Sequence, residues 1–233
     1  MILIGRPVET APGAPAAAAV AAKPAAAPAP GARTVPNQQV IDPGAYSMDV
    51  SRAGLAAYHR GDVAGSIEQF TAAVEANPGN ADALNNLGQA LVRVQRAREA
   101  IPYFDRAIAA SGATWAYHFN RARAYAELTQ WGQAVAGYRD AARLFPSDYV
   151  TAFNLAKALQ ANGDMTGAIA EFDRAIALAP GQADFHLSRA YALETAKRPR
   201  DAVAAYRHYL ELEESAPQAE KIKARIAQIE SQS

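Results

Sequence analysis

The sequence predicts an all-α repeat fold of five consecutive helix-turn-helix units, and three observations carry that prediction. Phe70, Phe104, Tyr138, Phe172 and Tyr206 stand 34 residues apart. A small residue precedes each by four positions, at Ser66, Ala100, Ala134, Ala168 and Ala202, while Ala73, Ala107, Ala141 and Ala175 follow the first four by three. Turn-forming residues separate two helices inside some of these periods and mark the ends of others. Self-similarity at a fixed period of a few tens of residues marks stacked units that share one continuous core.

The chain begins differently. Residues 1–45 hold 14 Ala and 8 of the 14 Pro, and no aromatic residue precedes Tyr46. Such a stretch has few large apolar side chains to bury and no aromatic one, and its prolines, from Pro7 to Pro43, interrupt any helix the Ala runs favour. A disordered Ala/Pro-rich leader is expected over residues 1–45.

Five units then follow, over residues 47–80, 81–114, 115–148, 149–182 and 183–216. In the first helix of each, Gly54, Gly88, Ala122, Ala156 and Ala190 are followed three residues later by Ala57, Leu91, Tyr125, Leu159 and Leu193. That spacing places each pair on one helical face. Gly61-Asp62 and Gly163-Asp164 read as turns, the Gly supplying positive φ and the Asp capping the next helix. The aromatic seam belongs to the second helix. Asn77-Pro78-Gly79-Asn80, Pro146-Ser147-Asp148 and Pro180-Gly181 end the units, because Pro cannot continue a helix. Pro102 falls inside a second helix and predicts a slight kink, whereas Pro199 lies at a helix start, where its missing N–H costs nothing. Helices of about 13 residues are marginal alone, so stability must come from stacking. In residues 217–233, Ala219, Ile222, Ile226 and Ile229 recur at threes and fours, the pattern of a C-terminal capping helix.

The order small residue, Tyr or Leu, Ala, aromatic, Ala, Pro over 34 residues resembles the tetratricopeptide repeat across residues 47–216. The resemblance implies a right-handed α-solenoid, of the kind found in bacterial adaptors and scaffolds, whose first helices line a concave surface that holds peptide segments of other proteins. Three residues depart from the pattern. Gly112 stands where Pro is expected, Tyr209 where a small Ala is expected, and Glu214 replaces the last Pro. One subclass of the family grips a C-terminal carboxylate with a clamp of cations and amides. Ser51 and Leu55, or Phe119 with Asp184 and Ser188, occupy the places that clamp needs, so chaperone-tail binding is not expected.

Composition narrows the function further. Lys and Arg total 23 and so do Asp and Glu, leaving no basic footprint for nucleic acid. No stretch approaches the roughly 20 apolar residues of a membrane span, so no direct membrane insertion is expected. Without Cys there is neither a disulfide nor a thiol nucleophile. The start Met1-Ile2-Leu3-Ile4-Gly5 is too short for an export signal, which suggests a cytoplasmic protein, or a periplasmic or envelope one if the N-terminus is truncated. The histidines His59, His118, His186 and His208 do not converge. His118 and His186 repeat two units apart, too far to share a metal ion. With no phosphate loop and no nucleophile motif, the expectation is a non-catalytic chain with no cofactor and no metal.

The binding residues expected on the inner face centre on Asn86, Asn120 and Asn154, which stand two residues before the small residue of units two, three and four. An amide offers a donor and an acceptor together, suited to gripping a peptide backbone, although the same Asn could bond within the solenoid. Asn85, Gln89, Arg93, Phe119, Arg123, Phe153, Lys157 and Tyr191 complete the expected face, cationic and aromatic in character. The partner expected is a protein or peptide, with self-association open. An envelope assembly factor, the repeat subunit of a split transferase, and a leader that acts as the groove's own ligand are the alternatives.

Overall fold

The computed structural model describes residues 42–215 and 217–232, and the expected disorder of the leader falls almost wholly outside them. The described residues form eleven α-helices and no strand: α1 (Pro43–His59), α2 (Val63–Ala76), α3 (Ala81–Arg93), α4 (Ala97–Ala110), α5 (Trp115–Glu127), α6 (Trp131–Leu144), α7 (Tyr149–Ala161), α8 (Met165–Leu178), α9 (Ala183–Thr195), α10 (Pro199–Leu212) and α11 (Ala219–Ser231). Five helix pairs therefore precede one final helix. The first pair starts earlier than expected, because residues 43–45, assigned above to the leader, already belong to α1. Pro43 explains the difference. Its fixed φ suits the first turn, where a missing N–H has no intrahelical partner to lose.

Every pair closes on the same contact. Phe70, Phe104, Tyr138, Phe172 and Tyr206 are buried in the second helices, and the small residues four positions before them are buried without exception. Facing the rings in the first helices are Gly54, Gly88, Ala122, Ala156 and Ala190. At Gly88 the approach is closest: a Cβ there would lie 2.6 Å from the Phe104 ring, and one at Gly54 would lie 2.7 Å from the Phe70 ring. Units three to five admit the methyl group of Ala at this place.

The turns inside the pairs are also of one kind. The backbone N–H groups of Asp62, Arg96, Gln130, Asp164 and Arg198 donate to the carbonyls of Ala57, Leu91, Tyr125, Leu159 and Leu193, all at 2.9–3.0 Å. This is the six-to-one bond of a Schellman cap, which requires a left-handed residue just before the donor. Gly61 and Gly163 fill that place in two units, as their sequence suggested, with φ of 84° and 90°. Gln95, Thr129 and Lys197 fill it in the other three with φ of 63°, 57° and 57°. Stacking of the units imposes the left-handed conformation there, even on a β-branched side chain that resists it.

Successive pairs are tied by contacts that repeat every second unit. Arg121 pairs with Asp105 at 2.7 Å and Arg189 with Asp173 at 2.5 Å. Arg106 and Arg174 donate to the carbonyls of Pro78 and Pro146, each at 3.1 Å. The Nε2 atoms of His118 and His186 lie 3.0 and 3.2 Å from the carbonyls of Gly112 and Pro180. All three sets are separated by 68 residues. The places of Asp105 and Arg121 are held one unit earlier by Thr71 and Leu87, and one unit later by Arg139 and Leu155.

Helix α11 covers the last pair with Ala219, Ile222, Ile226 and Ile229, all buried. Arg225 donates to both carboxylate oxygens of Glu194, the shortest contact being 2.6 Å, and Tyr206 donates to the same carboxylate at 2.7 Å. Burial alone raises a carboxyl pKa, but these hydrogen bonds outweigh it and hold Glu194 below the usual range. Tyr209, the residue that broke the small-residue pattern, is fully buried here and accepts a hydrogen bond from Gln218 at 2.7 Å. It is large because a capping helix, and not another unit, lies beyond it. Pro102 sits on the exposed side of α4, where the Arg98 carbonyl that loses its partner faces water.

Two substitutions test these constraints by chemical denaturation. Thr129→Gly should raise unfolding free energy by about 1 kcal/mol and Gly163→Thr should lower it by about 1–2 kcal/mol, since only Gly adopts positive φ without a steric cost. Gly88→Ala should lower stability by about 1–2 kcal/mol against the buried Phe104 ring, although the same exchange on an open helix surface raises it by about 1 kcal/mol.

Candidate functional site

The first helices α1, α3 and α5 pack on one another in succession, and no two second helices pack as closely. The shorter spacing puts the first helices on the inside of the curve. Their side chains form columns with a 34-residue repeat, and three neighbouring columns differ sharply in what they leave accessible.

The column of Asn86, Asn120 and Asn154 is partly spent inside the solenoid. Asn120 is buried and its Nδ2 donates to Asn85 Oδ1 across the unit boundary at 2.9 Å. Asn85 Nδ2 and Gln89 Nε2 both reach Asn86 Oδ1 at a long 3.4 Å. Asn154 turns back along its own helix and donates to the Val150 carbonyl at 2.8 Å. Half of each amide remains: the donor of Asn86, and the acceptors of Asn120 and Asn154.

The adjacent column of Asn85, Phe119 and Phe153 is the floor, not the surface. Phe119 is 8% exposed and lies edge-on to Tyr138 with ring centroids 5.4 Å apart. Phe153 is 5% exposed and stacks on Phe185 at 4.5 Å. Both rings serve the core, because a side chain one position before the Asn points down between units. They leave little surface for a ligand.

The third column is open along the whole array. Leu55, Gln89, Arg123, Lys157 and Tyr191 stand 34 residues apart, one to a unit, and every one of them is accessible to solvent. Tyr191 is 48% and Leu55 39% exposed. The sequence reading selected four of the five as scattered positions and missed Leu55, whose aliphatic character hid it. Its 34-residue interval to Gln89 was the signal.

Three cations on this face have no carboxylate partner among the described residues. Arg93 lies over the Tyr58 ring, 4.7 Å from its centroid. Arg123 is half-buried beside Tyr138, and its Nε makes no hydrogen bond. Lys157 lies 5.5 Å from the centroid of Phe153. Burial pushes its ammonium pKa down, with only partial compensation from Asp184. The acidic residues of these helices stand at their ends: Asp82 accepts the Tyr117 hydroxyl at 2.6 Å, while Asp184 and Glu127 are exposed in first and last turns. No group of three or more His, Asp or Glu among the described residues could hold a metal ion, and no described helix is long and apolar enough to cross a membrane.

A family model described as tetratricopeptide repeat matches residues 51–113, 85–149 and 153–220, together most of the chain. The chain belongs to the tetratricopeptide repeat family. The fold is shared with several solved tetratricopeptide proteins. A crystal structure of MamA is 20% identical, with a TM-score of 0.69 over 76% of this chain and 96% of that one. MamA from Desulfovibrio magneticus RS-1 is 15% identical, with a TM-score of 0.70 over 75% and 98%. YrrB, described as a tetratricopeptide protein with an unusual peptide-binding site, is 16% identical, with a TM-score of 0.68 over 76% and 92%. No curated protein sequence matches the chain.

The tetratricopeptide lattice and its accessible face are separable by mutation. Asn120→Ala strands the Asn85 carbonyl in a buried position and should cost about 1–2 kcal/mol in urea unfolding. Lys157→Ala should change stability by less than about 1 kcal/mol, having no bonded partner to strand.

Proposed function

We propose that the chain is a non-catalytic adaptor or scaffold that holds an extended segment of a partner protein along the inner face of its five units. The observation that carries this reading is the open column Leu55, Gln89, Arg123, Lys157 and Tyr191, one accessible side chain per unit beside amides that retain a free donor or acceptor. A row of accessible side chains at one repeat position, with amide groups left to solvent beside it, is a surface that stacking of the units does not itself require.

The geometry suits an extended ligand. Packed helices lie about 8–10 Å apart, and an extended chain advances about 3.3 Å per residue, so each unit meets about every third ligand residue. Five units then span about a dozen residues. The half-free amides accept or donate to the ligand backbone at about 1 kcal/mol net each, too little for micromolar binding, which needs about 8 kcal/mol. Side-chain contacts along the open column supply the remainder. YrrB, with the same fold, is described as having an unusual peptide-binding site, which supports peptide binding as a use of this fold.

Photocrosslinking in cells tests the proposal. A photoreactive residue placed at Gln89 or Tyr191 should capture the same partner, with adducts mapping about nine residues apart on one segment, from the three-unit interval between the sites. The same residue placed at Arg139, on the outer surface, should not. Adducts that form at Arg139 and at neither inner position would sink the adaptor reading.

A further inference from the structure

Half of the cations among the described residues are matched: Arg96, Arg121, Arg174, Arg189, Arg198 and Arg225, for example, each hold a carboxylate within 3 Å, on their own helix or on a neighbour. Among the unmatched ones, three share the inner face. Arg93, Arg123 and Lys157 come from three successive first helices, and none has a carboxylate within ion-pair distance among the described residues. Two of them are half-buried, where an unmatched charge costs more than it does in open water.

Their placement along the array is graded. Leu55 marks the end formed by α1, the three cations occupy α3, α5 and α7, and Tyr191 marks the end formed by α9. Arg123 and Lys157 hold the same repeat position, and Arg93 stands one helical turn beyond it in its own unit. The carboxylates of α3, α5 and α9, Asp82, Glu127, Asp184 and Glu194, stand in first or last turns; Asp82 already accepts from Tyr117, and Glu194 from Tyr206 and Arg225. The middle of the face is thus positive and its two ends apolar.

We infer that the segment held on this face is acidic at its centre, with Asp or Glu side chains at every third residue meeting Lys157, Arg123 and Arg93, and an aliphatic or aromatic side chain at each end meeting Leu55 and Tyr191. The inference rests on the adaptor reading and names the chemistry of its ligand. Guanidinium groups take carboxylates in paired hydrogen bonds, and a carboxylate restores the hydration that Lys157 and Arg123 have lost to burial. The one-in-three spacing follows from the helix separation and the rise of an extended chain. Recognition is through side chains inside a segment, and a free C-terminus is not required.

Panning random phage-displayed dodecapeptides against the full chain tests this directly. Enriched clones should carry Asp or Glu three residues apart with apolar residues toward the ends. A synthetic peptide from the leading clone should bind about tenfold more weakly to Arg123→Gln and again to Lys157→Gln, as loss of a charge-assisted contact requires. The double variant Arg123→Glu/Lys157→Glu, checked for an unchanged helical circular dichroism spectrum, should prefer the same peptide with Lys in place of its acids. Gln variants cover the case in which that charge reversal fails to fold. Neutral peptides that bind wild type but not the inner-face variants would overturn the acidic inference and leave the adaptor reading intact. No enrichment, or clones that bind wild type and both variants alike, would overturn both.

Discussion

In each unit an aromatic ring of the second helix is pressed against a place on the first helix where no side chain exceeds a methyl group. Phe104 over Gly88 is the tightest case, with Phe70 over Gly54 close behind it. One buried ring removes about 150–250 Å² from water, on the order of 4–6 kcal/mol before entropic losses, which is more than a 14-residue helix can supply alone. Only a glycine or alanine opposite lets the helices come close enough to realise it. The ring fixes how two helices cross, the crossing fixes where the next unit lands, and the spacing of units fixes the columns of the inner face.

That dependence divides the inner helices by function at single-residue resolution. A side chain one position before the Asn column, such as Phe153, points between units and stacks on Phe185. One three positions after it, such as Lys157, lies along the surface. The same α-helix therefore carries structural and accessible columns within a single turn. Amides such as Asn120 stand between the two and spend one half on the lattice while leaving the other to solvent. Stacking does not dictate what stands in the column whose residue type changes from unit to unit, and under the proposed adaptor reading that column would set selectivity.

The fold was largely legible from the sequence, since period, small residues and aromatics all report one repeated contact. Even Tyr209, an apparent exception, proved to report the end of the array and the fit of α11 beneath it. Three of the five turns were not legible. Gln95, Thr129 and Lys197 adopt left-handed conformations that their side chains disfavour, and only the tertiary stack demands it. The inner face was legible in part. Sequence spacing identifies which residues share a broad helical face, and Gln89, Arg123, Lys157 and Tyr191 stand at one repeat position. It does not say which part of that face the neighbouring unit covers, so Phe119 and Phe153 were expected on the accessible face, and the Asn column was left open between ligand binding and bonds within the solenoid.

The alternation of contacts between successive units has a consequence for assembly of so repetitive a chain. Consecutive units are alike enough that, during folding, one could dock against the next but one. The boundary residues discriminate against this. In register, Asp105 meets Arg121 and Asp173 meets Arg189, while Arg139 and Leu155 occupy the boundary between them. A slip by one unit would set Arg139 against Arg189 and Asp105 against the buried Leu155, placing like charges together and leaving a carboxylate facing hydrocarbon. A slip by two units would set Asp105 against Arg189 and so re-form an ion pair of the same kind. The array thus carries a parity, and its repeats can be exchanged, lost or gained without penalty at these boundaries only in twos.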